Sequence, residues 1–147
     1  MVRIKNQQKK IRVSQKRIKE VAKEILNDLG YPKWEISILL MDDNQMRSLN
    51  KTYLHRDRPT DVMSFSQIEG ESQVLTNLLG DVVISVETAR RQAREAHSTL
   101  HDEITYLLIH GILHLLGYDH EGSAKKRLHM ERKEKELLSK VRSQIRS

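Results

Sequence analysis

Cysteine is absent from this chain. That absence excludes disulfides, thiolate metal sites and thiol catalysis, so any bound metal must rely on imidazole and oxygen ligands. Aromatic residues make up only 4% of the 147 residues, too few for a broad base-stacking platform. No apolar run reaches the length of a membrane span, so no membrane partner is expected. None follows the opening Met1-Val2-Arg3-Ile4-Lys5 either, so no signal peptide is expected and the cytoplasm is the default location. Repeats, linkers and low-complexity segments are also missing, and the length suits one domain, 1–147, with a real core.

Charge is plentiful, at 31% of residues with a net of +6. It is unevenly placed. Residues 1–20 carry eight Lys/Arg and one Glu, and residues 124–147 carry nine Lys/Arg and three Glu. The centre therefore holds nine basic and 16 acidic residues. Basic ends suit a polyanion such as nucleic acid, although lysine-rich helix faces are more often simply solvated.

Hydrophobic periodicity predicts the elements. A short strand is expected around Lys10-Ile11-Arg12-Val13. Ser14 reads as an N-cap for a helix with Ile18, Val21, Ala22, Ile25, Leu26 and Leu29 on one face, ended by Gly30 and Pro32. Trp34 to Met41 reads as a strand buried on both faces. Asp42 and Asp43 cap a short helix with Met46, Leu49, Tyr53 and Leu54 on one side. Asp61 to Ser66 and Leu79 to Ser85 read as strands, separated by a polar loop over Gln67–Asn77. Glu87 to Ala96 reads as a surface helix. A helix from Leu100 to Leu116, capped by Thr99, is apolar nearly all round and must be central. Ser123 caps a last, highly charged helix. The order predicts an α+β domain: one mixed, mostly parallel sheet of about four strands covered by helices, with the apolar helix at its centre.

That central helix carries the chemistry. His110 and His114 lie one turn apart on one face, and Gly117 is placed to end the helix so that the chain can return His120 toward them. Three neutral imidazoles with an open fourth position form the pattern of a catalytic zinc. Histidines four apart on an apolar helix are often plain core packing. Three at this spacing, in a helix where an unpartnered imidazole would cost several kcal/mol, favour the metal. The spacing matches the long zinc-protease signature except that Gly111 stands where the protease has its general-base Glu. A metzincin-like metallopeptidase is therefore disfavoured. Zinc itself lowers the pKa of water toward about 7, so hydrolysis remains open.

The run His110-Gly111-x-Leu113-His114-Leu-x-Gly117-Tyr118-Asp119-His120, with Pro59-Thr60-Asp61-Val62-x-Ser64-Phe65 and Gly80-Asp81-Val82-x-Ile84-Ser85 upstream, resembles the bacterial YbeY family. The resemblance covers nearly the whole chain. It implies an α+β fold with one zinc ion, or another divalent metal, on His110, His114 and His120. It implies a single-strand-specific endoribonuclease that matures 16S rRNA ends and serves ribosome quality control. Single-stranded RNA, rRNA and the small ribosomal subunit are then the expected partners, and no DNA is expected. A ribosome-associated factor with a structural zinc is the non-enzymatic alternative. Two departures stand out. The family has an arginine where this chain has Leu54, and tends to have proline where it has Ser66.

His114 is therefore the first catalytic candidate, followed by Arg56 and Arg58, which lie near the missing arginine and carry guanidinium forks that match phosphate oxygens. The alternative for these two is a turn arginine paired with Asp57. Asp61 reads more readily as a strand-start cap than as a base. Asp119 is a candidate to support a ligand histidine or the turn after Gly117. Glu103 reads as a helix-start acid. His97 and His101 read as surface residues, and His55 and His129 as ordinary ones.

Overall fold

A computed structural model describes residues 1–67, 77–118 and 123–146. The polar loop expected over 67–77 falls mostly outside them, as do Asp119 and His120.

Four strands form one sheet in the order β1-β2-β4-β3. β1 (Val2–Asn6), β2 (Glu35–Met41) and β4 (Leu78–Ser85) run parallel, and β3 (Val62–Ser66) pairs antiparallel with β4 at one edge. The mixed, mostly parallel sheet is as expected. The first strand is not where Lys10–Val13 pointed. The Gln8 side chain accepts from the Ile11 amide at 2.9 Å and donates to the Ile11 carbonyl at 2.7 Å. Those two bonds close residues 8–11 into a turn, while Val2 and Ile4 alternate inward one register earlier.

The sheet is covered unequally. On one face lie α1 (Gln15–Asp28) and α4 (Leu100–Leu115), over Ile36, Ile38 and Leu40 of β2 and Val82 and Ile84 of β4, with α5 (Ala124–Arg146) packed against both helices. The other face carries only a small cluster: Met46 and Leu49 of α2 (Asp43–Leu54) against Leu39, Met41, Met63, Val83 and Phe65. β2 thus alternates between two unequal cores rather than being wholly buried on both faces. Tyr53 and Leu54, expected on the inner side of α2, are 60% and 53% exposed. Tyr53 still packs edge-on against Phe65 of β3, ring centroids 5.3 Å apart, but nothing covers its outer side, and His55 then turns the chain in a left-handed conformation, φ 57°.

The caps read from sequence are present. Ser14, Asp42, Thr99 and Ser123 each accept an amide from the first turn of a helix. α3 (Val86–Glu95) is capped by Ser85 and tucks Ala89 and Ala93 inward. No helix among the described residues is long and apolar enough to cross a membrane.

Candidate metal centre and substrate groove

α4 positions the site. Between Glu103 and Leu115 its residues are buried except Glu103, Tyr106, His110 and His114. These four recur at three- and four-residue spacing, so they form one open stripe on an otherwise enclosed helix. His110 and His114 project from it together: their Nε2 atoms lie 3.1 Å apart. Two nitrogens bound to one tetrahedral zinc at about 2.0–2.1 Å lie about 3.3 Å apart, so the pair fits a shared metal. On the far side of the His110 ring, Nδ1 lies 3.4 Å from the Glu134 carboxylate of α5. The expected third ligand, His120, lies outside the described residues, and among those described no group of three His, Cys, Asp or Glu side chains is gathered for a metal.

Gly111 has a packing reason. A Cβ there would stand 2.7 Å from Cγ1 of Val82 and 3.3 Å from Cγ2 of Val62. The helix lies so close on β3 and β4 that Ser64 donates its hydroxyl to the Gly111 carbonyl at 2.9 Å, and Ser66 does so to that of Leu115 at 3.3 Å. Position 111 faces the sheet, not the histidine stripe. Even a Cβ there would crowd Val82, so the position that holds the general-base Glu in the protease signature has no room for one here. Gly80 allows the same closeness from the other side: at φ 149° its Cβ would meet the Phe65 carbonyl.

The histidines open onto a groove of about 590 Å³. Its walls include Arg56, Arg58, Thr60, Ser64 and Asn50. The arginine loop is built by its neighbours. Asn50, 2% exposed, donates to the Arg58 carbonyl at 2.8 Å, and its own backbone carbonyl receives the Arg56 amide at 3.4 Å just past the end of α2. Asp57 is gripped by the Arg47 guanidinium, Nε to Oδ1 at 2.6 Å and Nη2 to Oδ2 at 3.1 Å, which holds its carboxyl below the usual range. Asp57 is therefore not the counter-ion of its neighbours. Among the described residues the Arg56 and Arg58 guanidinium groups form no hydrogen bond or ion pair.

The other expectations resolve in part. Asp61 caps the start of β3, its Oδ1 accepting the Val62 amide at 2.7 Å, while Oδ2 accepts from Gln92 at 3.2 Å. Glu103 lies in the first turn of α4, and its carboxyl is raised by burial and by the nearby Asp61 charge. His97 ends α3 in a left-handed conformation, φ 54°, and is exposed. His101 is only part-exposed, its carbonyl accepting the Thr105 hydroxyl. His129 is less ordinary than expected, stacking on Tyr118 with ring centroids 5.4 Å apart. Leu54 lines the groove as an exposed apolar residue.

Sequence reasoning named Ser64 and Ser66 only as motif positions, without the bonds by which they shape the groove, and gave no role to Asn50 or to the pair Tyr106 and Glu134. Glu134 was legible: Met130, Glu134, Leu137 and Val141 are spaced as one buried helix stripe.

The sequence model of endoribonuclease YbeY matches residues 3–142. The chain belongs to the YbeY family. The endoribonuclease YbeY of Syntrophotalea carbinolica is 45% identical over 147 residues, covering 99% of this chain and 98% of that one. The YbeY of Aquifex aeolicus is 44% identical over 133 residues, 90% and 87% of the two chains. A solution structure from Thermotoga maritima, 30% identical, superposes with a TM-score of 0.69 over 99% of this chain and 92% of its own. The YbeY frame thus extends from β1 to α5 and contains the histidine stripe, Gly111 and the groove.

Proposed function

We propose that this chain is a zinc-dependent endoribonuclease that cuts single-stranded RNA, working in the cytoplasm on 16S rRNA ends in association with the small ribosomal subunit. The observation that carries the reading is the converging Nε2 pair of His110 and His114 in a groove walled by two arginines that have no counter-ion among the described residues.

In this reading His110, His114 and His120 hold the metal. When bound, it supplies a Lewis acid for a phosphate oxygen or for water. Arg56 and Arg58 hold the phosphates on either side of the cut bond and offset negative charge as it develops. Ser64 and Ser66 keep α4 pressed on β3, which fixes where the histidines point. The groove runs along the edge strand β3, between the arginine loop and α4.

The test measures bound metal by elemental analysis, and cleavage of a single-stranded RNA, for the wild type and His114→Ala. Both are expected to fall together in a variant that stays folded. Loss of metal with no cleavage to lose favours a structural zinc. Cleavage that survives the substitution overturns the mechanism. RNA affinity should also fall as salt rises, because arginine–phosphate contacts release counter-ions.

A further inference from the structure

Glu134 is the most buried carboxylate described in the chain, 3% exposed, and it sits on the last helix among Met130, Leu137 and Val141. An ionised carboxylate in such a place requires partners that justify its desolvation. Two are found on α4. His110 Nδ1 lies 3.4 Å away, and the Tyr106 phenol is near enough for the same carboxylate to raise its pKa. The phenol's own pKa is pushed up to about 12, by burial first and then by the charge of Glu134, so it stays a neutral donor.

The side of the ring matters. Glu134 approaches Nδ1, whereas His114 faces Nε2. The carboxylate therefore stands behind the imidazole and not where the two Nε2 atoms converge. An imidazole that donates from Nδ1 has its lone pair on Nε2, the form a metal takes. A cation at Nε2 also makes the opposite N–H a stronger donor, which tightens a contact that is long at 3.4 Å.

We infer that Glu134, steadied by Tyr106, is a positioning residue that holds His110 as an Nδ1 donor with Nε2 turned into the site, so that metal affinity depends on the docking of α5 against α4. This rests on His110 being a ligand, as proposed above. A buried Glu–His pair that served packing alone would tie the same helices together but would leave metal affinity of the folded protein unchanged.

The experiment is competition of zinc against a chromophoric chelator, with thermal melts alongside, for the wild type, Glu134→Gln, Glu134→Ala and Tyr106→Phe. Nitrogen-resolved NMR of the histidine rings in zinc-loaded protein is the second readout. Glu134→Ala is expected to weaken zinc binding by about 10–100-fold. Glu134→Gln keeps an acceptor oxygen and should restore most of the affinity, and Tyr106→Phe should lose only a few-fold. A slowly exchanging His110 Nδ1–H is expected in the wild type and in Glu134→Gln. If Glu134→Ala does not fold, the wild-type NMR signal and the Tyr106→Phe affinity carry the decision. Wild-type affinity in folded Glu134→Ala, or a His110 ring bound through Nδ1, overturns the inference. A wild type that binds no zinc refutes the metal reading itself and is recognisable as that separate failure.

Discussion

Charged and polar side chains gather in two places in this molecule, and the two are built to opposite rules. The first is the carboxyl end of β2 and β4. There Asp43 accepts the hydroxyls of Ser85 and Thr88, both at 2.6 Å, and the Arg91 guanidinium at 2.7 Å. Its backbone amide donates to Glu87, which also pairs with Lys10. Burial alone would raise the Asp43 carboxyl, but these donors outweigh it and hold the pKa below the usual range. The second place is the groove beside α4, where Arg56 and Arg58 meet no acid among the described residues and two imidazoles turn the same ring atom toward each other. Open parallel sheets commonly bind ligands at the carboxyl ends of their strands. Here that end is closed by its own hydrogen bonds. What distinguishes the groove is therefore two guanidinium groups with no bond among the described residues, not topology.

The largest effects should separate the two places cleanly. His114→Ala is expected to lower RNA cleavage more than about 100-fold, beyond the usual loss from an outer-shell change, with a near-normal melting curve. Asp43→Ala should do the reverse. It removes three donated bonds and leaves Arg91 without its acid, costing about 2 kcal/mol of stability with unchanged zinc content in the folded protein. If Asp43→Ala also released zinc from folded protein, the two places would be one coupled unit and the contrast would fail. Gly111→Ala tests the ground between them. Helix propensity favours alanine by up to about 1 kcal/mol, but the new Cβ must displace buried Val82 at 2.7 Å. Overpacking of a tight core costs about 1–3 kcal/mol, so net destabilisation is expected in a denaturant titration.

Smaller effects should come from the arginines. Arg56→Ala and Arg58→Ala are each expected to weaken single-stranded RNA binding by about tenfold at low salt and to reduce the salt slope by about 0.7, one phosphate contact apiece. Thermal stability should hardly move, since neither guanidinium bonds within the described protein. Arg47→Ala is the control. It frees Asp57 beside both arginines, so it should weaken RNA binding without touching the groove itself. Equal binding by all three variants would remove the arginine loop from the substrate path.

Legibility followed the range of the interactions. The four caps, α4 as the central helix and the parallel core were readable because each is set by spacing within a few residues. Lys10–Val13 misled because the Gln8 side chain closes a turn whose bonding partner cannot be seen in a list of apolar residues. Tyr53 and Leu54 misled because helical spacing does not say how much of a helix face its neighbours cover. His110 and His114 were legible as neighbours on one face, but Glu134, 24 residues on, meets His110 only through packing of α5 on α4. Gly111 shows both sides. Its chemistry, the missing base, was plain from the motif, whereas its cause, contact with Val82 and Ser64, is purely tertiary.

The smallest predicted effects are in pH, and they have opposite signs. Asp43 has a folded pKa below its unfolded value of about 3.9, so its contribution is complete above that pH. As pH falls, the unfolded chain takes up the proton first, and the contribution is lost through the folded value. Glu103 has a folded pKa raised by burial and by Asp61, so its folded carboxyl takes up the proton first. Its contribution is unfavourable at neutral pH and is relieved as the solution is acidified through the raised value. Thermal melts between about pH 3 and 7, with metal chelated so that the histidines do not report zinc release, separate the two. Asp43→Asn should lower stability at neutral pH and flatten the fall below about pH 4. Glu103→Gln should raise the midpoint slightly near pH 7 and leave it unchanged at the acid end. A Glu103→Gln midpoint that drops at pH 7 would mean that its carboxylate is held by a favourable partner, and Glu103 would then belong with the self-satisfied cluster and not with the groove.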